Sequence, residues 1–312
     1  MTRYLWLLLL APAQAGAFQL GFPVQCTLGE TCFIQQYHDH DAGPAATDFT
    51  CGPLSYDGHD GTDIAVPTLA AMAAGVTVLA AAPGLVLGIR DGMRDGQPGP
   101  DVKDRECGNG VLIDHGGGWQ TQYCHLRQGS VVVQKGDSVA TGRPLGLIGQ
   151  SGQAEFPHLH LAVRRNGEEL DPFSPEATTC GAAGDDLWTD PPPYTPGGII
   201  DIGFSTEVPE FDAIKAGLPP TVLTPQSPAL VVWVHVFGAR AGDALLFEIT
   251  GPDGSIITER VLLEKTQARL FRAVGKRLRG EGWPPGRYNG TARMLRGKVA
   301  LGSRAVTVRI GE

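Results

Sequence analysis

The stretch EFPHLHLAV (155–163) holds two histidines, two apart, inside an apolar run. Apolar residues at every second position read as a strand. Leu159, Leu161 and Val163 then share one face, and His158, His160 and Ala162 share the other, because side chains alternate along an extended chain. The two imidazoles point the same way, roughly 7 Å apart at the backbone. That spacing suits metal ligation or paired proton transfer. It suits two half-exposed surface histidines equally well, so the pair needs partners before it means chemistry.

Two further stretches offer them. YDGHDGTDIAVP (56–67) sets His59 and Asp63 four apart, with Gly58 and Gly61 allowing the backbone to bend around them. An imidazole and a carboxylate aimed at one point suit Zn²⁺, although an HxGxD string by itself is an ordinary polar turn. QTQYCHLRQG (120–129) holds His125, which alone reads as structural. Regular alternation puts Tyr123 and His125 on one face and Cys124 on the other. A disulfide at Cys124 is then expected to brace the strand from behind His125, clear of any site.

The remaining polar residues suggest less. YHDHD (37–41) is read as a solvated loop outside the site, in an N-terminal segment that could cover the cleft. His115, beside three glycines, is a turn residue. Glu155 has nothing to make it a base. The Tyr123 hydroxyl could face the cleft, and packing explains that residue equally well. His235 stands alone as a packed or surface histidine.

These side chains need a frame, and the composition indicates a β one. Glycine and proline are abundant (43 and 24) and only 19% of residues are charged, as in a turn-rich all-β protein. Short β runs fill 59 to about 175, among them TDIAVP, VTVLAA, GLVLGI, NGVLIDH, WQTQYCHL and SVVVQKGD, punctuated by Gly, Pro and Asp. RDGMRDGQPGPDVKDRE (90–106) is polar and aperiodic, a long surface loop of the kind that often serves function. CGAAGDDLWTDPPPYTPGG (180–198) reads as a linker. ALVVWVHVFG, DALLFEITGPDG, ARLFRAVGKR, RYNGTARML and SRAVTVRI follow it with the turn spacing of an immunoglobulin-like β-sandwich.

The ends and the cysteines set the compartment. MTRYLWLLLLAPAQAGA has Arg3, a short apolar core and small residues, with AQA (13–15) or AGA (15–17) as a cleavage site. This reads as a signal peptide at 1–17, too short to be a stable membrane anchor. The rest, about 295 residues, is long enough for two domains. Six cysteines, all beyond the leader, point to disulfides in an exported chain, and the lack of CxxC argues against thiolate zinc. Folding CGNGVLIDHGGGWQTQYCH about glycines 116–118 sets Cys107 opposite Cys124. That bridge is worth about 3 kcal/mol on the disputed loop-entropy model. The net charge of −8 disfavours nucleic-acid binding.

Taken in order and at their spacings, HDGTD, VLAAAPGLVLGI, NGVLIDHGGGWQTQYCHL, VVVQKGDSVATGRPLGLIGQSG and PHLHLAV resemble the catalytic domain of the lysostaphin-like (LytM-type) zinc endopeptidases, over about residues 59–175. The resemblance implies antiparallel sheets in a barrel-sandwich-like arrangement. It also implies one Zn²⁺ per chain held by His59, Asp63 and His160, with His125 and His158 as catalytic histidines. Three protein ligands leave a fourth zinc position open. No HExxH glutamate is present, so histidines must supply the base and acid.

The expected organisation is a disulfide-stapled N-terminal segment (18–58), a metallopeptidase domain (59–180), a linker (181–196) and a C-terminal β-sandwich (197–312). The expected function is that of a periplasmic or secreted zinc metalloendopeptidase acting on peptidoglycan peptide stems, at cross-links first. The rival is a non-catalytic LytM-type binder that regulates other cell-wall hydrolases. The rival's relatives typically lose zinc ligands, and the set here is complete. The C-terminal domain has an unknown partner and could make the protein an adhesin or scaffold. Hydrolysis is expected to persist when 196–312 are removed, with poorer targeting.

Overall fold

Strand formation follows the alternation and turn chemistry of the sequence. Gly116, Gly117 and Gly118 take φ of 77°, 61° and 86°, a left-handed run open mainly to glycine. They reverse the chain between two eight-residue strands. A computed structural model describes residues 17–96, 102–182 and 184–311. The leader expected at 1–17, apart from Ala17, and the centre of the 90–106 loop lie outside them.

The first unit contains β1 (Phe33–Gln36), β2 (Thr62–Ala65), α1 (Leu69–Ala74), β3 (Thr77–Leu79), β4 (Gly84–Arg90), β5 (Asn109–Gly116), β6 (Trp119–Leu126), β7 (Ser138–Val139), β8 (Pro144–Leu147), β9 (His158–Arg165) and β10 (Glu168–Leu170). Its main sheet runs β1-β2-β9-β6-β5-β4-β7, with β10 added to β9, while β3 and β8 pair separately. Every pairing is antiparallel. Leu159, Leu161 and Val163 are fully buried with Ile64, Ile113 and Tyr123 on the core face of this sheet. Each such side chain contributes about 1.5–3 kcal/mol by leaving water. The opposite face carries the chemistry.

The second unit contains β11 (Gly198–Ser205), α2 (Phe211–Ala216), β12 (Ala229–Ala239), β13 (Ala244–Gly251), β14 (Gly254–Leu262), β15 (Gln267–Arg277), β16 (Gly286–Arg296) and β17 (Val299–Ile310). Sheets β11-β12-β15 and β14-β13-β16-β17 face each other over a shared core. This is the β-sandwich that the turn spacing predicts, with seven strands in two sheets.

The two units are docked. All of β12 is buried. Leu230, Val232, Val234 and Val236 fill the sandwich core. On its other face, Phe237 packs against Phe33 of β1 with ring centroids 4.8 Å apart. The 181–196 stretch, expected as a linker, is itself packed. Leu187 and Trp188 belong to the first core, and Leu20 brackets them through backbone bonds to Leu187 (2.7 Å) and Thr189 (2.8 Å).

The disulfides are Cys26–Cys32, Cys51–Cys180 and Cys107–Cys124. The third is the pair expected from the glycine turn. The second closes a separation of 129 residues, worth about 5 kcal/mol on the disputed loop-entropy model.

Candidate active site

Register assembles the site. In the β2–β9 pairing Asp63 stands directly opposite His160, and in the β6–β9 pairing Cys124 does so from the other side. Directly opposed residues share a sheet face, so Asp63, His160 and Cys124 form a row. His59 sits in the turn entering β2. The approach depends on Gly61, where an added Cβ would lie 2.6 Å from the Leu161 carbonyl oxygen and 2.7 Å from His160 Nε2. The bend allowed by Gly58 (φ 74°) completes the turn.

Three donor atoms converge. His59 Nε2 lies 3.2 Å from Asp63 Oδ1 and 3.3 Å from His160 Nδ1, and His160 Nδ1 lies 2.9 Å from Asp63 Oδ1. Tetrahedral ligands at zinc–nitrogen distances stand roughly 3.3 Å from one another, so the triad fits a zinc ion. All three residues are buried. Among the described residues this is the only group of His, Cys, Asp or Glu with that convergence. YHDHD does not form a second one. His40 instead pairs with Asp171 at 2.8 Å. The segment backs His59, since His59 Nδ1–H donates to the Tyr37 carbonyl at 2.6 Å and Asp39 N–H to the His59 carbonyl at 2.8 Å.

The electrostatics favour a cation at this point. Burial alone would raise the Asp63 carboxyl. Electrostatic interaction with the His59 and His158 imidazoles and the hydrogen bonds from His160 and His59 overcome it and hold Asp63 well below the usual range. Burial would lower His160, but hydrogen bonds to Asp60 and Asp63 push it up to about 10. Asp60, which sequence reasoning passed over, accepts from His160 Nε2 at 3.1 Å. It is a carboxylate that orients His160, the arrangement that suits a metal-binding histidine. The available signal was its place inside HDGTD.

His125 and His158 flank the triad, their ring centroids 4.6 Å apart. His158 Nε2 is 3.5 Å from Asp63 Oδ1. His125 Nδ1 is 2.8 Å from the Ser151 carbonyl, and His158 Nδ1 is 2.8 Å from the Phe156 carbonyl. These acceptors assign the proton of each neutral ring to Nδ1, which leaves Nε2 with a lone pair toward the site. Burial lowers both histidines. His158 and His160 depress His125 further, while Asp63 partly restores His158. Both are neutral near pH 7.

One expectation fails. Cys124 does not lie behind His125. His125 has φ of 63°, a left-handed conformation that breaks strand alternation. Its N–H is fixed by the Cys107 carbonyl at 2.8 Å. Cys124 and His125 therefore both face the groove, and the Cys107–Cys124 disulfide lies in its lining with His160. Tyr123 faces the core, fully buried, its hydroxyl bonded to Ala81 N–H (2.7 Å) and Thr121 (3.0 Å). His115 bridges Pro83 and Thr121, and Glu155 is exposed.

The groove encloses about 290 Å³, with Tyr56, Asp60, Glu106, Gln122 and Arg164 along its walls. The 90–106 loop supplies Glu106. Its Asp95 accepts from Gln150 N–H at 2.7 Å, anchoring the loop after β8.

Comparison with known proteins accounts for the arrangement. Residues 57–172 match the model of peptidase family M23. This stretch is an M23 domain. The chain is 33% identical over 113 residues to the peptidoglycan DD-endopeptidase ShyA of Vibrio cholerae serotype O1, covering 36% of this chain and 22% of that one. It is 39% identical over 67 residues to the DD-carboxypeptidase/endopeptidase Mpg of Neisseria meningitidis serogroup B, covering 22% and 15%. The chain thus spans under a quarter of the length of either relative. The catalytic domain of lysostaphin from Staphylococcus simulans overlaps 44% of this chain and 86% of its own at 21% identity, with a TM-score of 0.30, too low to add to the family match. No described helix is long and apolar enough to cross a membrane.

Proposed function

We propose that this chain is an exported zinc metalloendopeptidase that hydrolyses peptide bonds of bacterial peptidoglycan, at cross-links first, in the periplasm or outside the cell. The observation that carries this reading is the convergence of His59 Nε2, Asp63 Oδ1 and His160 Nδ1, with the paired imidazoles of His125 and His158 at its edge. The substrate class comes from the named relatives. The completeness of the ligand set speaks against a non-catalytic binder.

Zinc, when bound by these three residues, supplies Lewis acidity toward water and the scissile carbonyl. The chain's own contribution is positioning and proton transfer. Nε2 of His125 and of His158 each present a lone pair, and one takes the proton as water adds to the carbonyl carbon. The resulting imidazolium N–H donates to the developing oxyanion or to the departing amine as the C–N bond breaks. The carbonyls of Ser151 and Phe156 hold the rings in the required tautomer throughout. The groove receives an extended peptide stem.

The test is mass spectrometry of purified sacculi digested with wild type, His158→Ala and His160→Ala, with zinc content measured in parallel. The expected result is release of cleaved stems by wild type alone, with zinc retained in His158→Ala and lost in His160→Ala. Intact sacculi with zinc-loaded wild type would count for the binder.

A further inference from the structure

The loop from Gly149 to Pro157 supplies both carbonyls that hold the non-ligand histidines, Ser151 for His125 and Phe156 for His158. Its placement therefore sets the geometry of both. Phe156 does so twice, since its ring also stacks on the His158 imidazole with centroids 4.4 Å apart and planes 29° apart. The other partners of that ring come largely from the C-terminal sandwich. Arg269 of β15 places its guanidinium carbon 5.2 Å from the Phe156 centroid. Ile200 and Phe237 of the sandwich join Phe33 and Ala65 in the buried cluster against which Phe156 packs.

Arg269 is held in turn. Its Nε–H donates to His235 Nε2 at 3.3 Å, and His235 is fully buried in β12. Burial, with Arg269 and Lys215 beside it, drives His235 down to about 3, so it stays neutral as an acceptor. Elsewhere on the interface Arg304 donates to the carbonyls of Gly29 (2.9 Å) and Glu30 (3.2 Å). The sandwich is a docked body at this point, not a tethered one.

We infer that the C-terminal sandwich is part of the hydrolytic machinery, with Arg269 acting through Phe156 as a positioning residue for His158. This rests on the peptidase reading for its kinetic arm only. A cation over an aromatic face fixes the ring in place and in plane; the stacked imidazole then inherits that orientation. The consequence opposes the expectation that hydrolysis is indifferent to 196–312.

The experiment uses full-length protein and the variants Arg269→Ala, Arg269→Lys and Phe156→Leu. Arg269→Ala and Phe156→Leu are each expected to lower kcat about five- to tenfold with KM unchanged. Arg269→Lys, which keeps the cation, is expected to recover part of the loss. Zinc affinity should hold in all three. The imidazole ¹⁵N and Hε1 resonances of His158, at one fixed pH, should shift in Arg269→Ala and return toward wild type in Arg269→Lys. Unchanged His158 resonances in Arg269→Ala overturn the inference whether or not turnover falls. A wild type without turnover defeats the peptidase reading and leaves the resonance test standing.

Discussion

Gly61 and His160 touch so closely that no β-carbon fits between them. An added Cβ would stand 2.7 Å from the His160 Nε2 and 2.8 Å from its Cε1. Gly61 lacks positive φ, so alanine meets no backbone strain there and the conflict is one of contact, with the His160 ring and with the Leu161 carbonyl oxygen at 2.6 Å. Gly61→Ala should therefore move His160 off the convergence point, weakening zinc about tenfold or more and costing about 1–3 kcal/mol of stability. Competition with a chromophoric chelator measures the first effect and urea unfolding the second. Wild-type zinc affinity would refute the assignment.

Asp60 tests the support behind the same ligand. Asp60→Asn keeps an acceptor near His160 Nε2 but removes the charge that helps raise that histidine. Zinc affinity should fall roughly tenfold, and further in Asp60→Ala, as for other partners of metal-bound histidines. Chelator competition at fixed pH reads both. Equal affinity across the three proteins would show that Asp60 is only a groove wall.

His125 depends on a corner held by the Cys107 carbonyl and the Cys107–Cys124 bridge. Replacing both cysteines with alanine should cost about 3 kcal/mol on the loop-entropy model. It should also depress turnover more than it depresses zinc affinity, because His125 stands outside the proposed ligand set. Parallel turnover and zinc titrations would distinguish this from general loosening, which lowers both alike.

His235 gives the sandwich a pH dependence with a definite sign. Burial, then Arg269 and Lys215, lower it from 6.5 to about 3. Between those values the unfolded chain binds more protons than the folded one. Stability therefore falls as pH drops from 6.5 toward 3, by about 1.4 kcal/mol per pH unit at most. His235→Leu should flatten that part of the profile. The measurement is the difference between variant and wild type in urea unfolding at pH 7, 5 and 4, which cancels the shared titration of carboxylates. A slope unchanged by the substitution would refute the assignment.

Much of the site could be read from the chain because it follows extended-strand geometry. His158 and His160 share a face, as alternation requires, and β2 and β9 bring Asp63 opposite His160. The reading failed at His125, where one left-handed residue puts two consecutive side chains on the same side. Histidine at φ above zero leaves no composition signal. Nor do the carbonyls of Tyr37, Ser151 and Phe156, since every residue carries one. The 181–196 stretch looked like a linker by its prolines and paired aspartates, but Leu187 and Trp188 within it found apolar partners. Composition describes an average over a segment, whereas burial is decided side chain by side chain.

Cys51 and Cys180 bracket all of the family-matched residues, 57 to 172. A single scission anywhere between those two cysteines would open the polypeptide without parting it. The nicked molecule would migrate as one species until a thiol was added. The pieces bearing His59 and His160 would stay joined through the Cys51–Cys180 bridge wherever the cut fell.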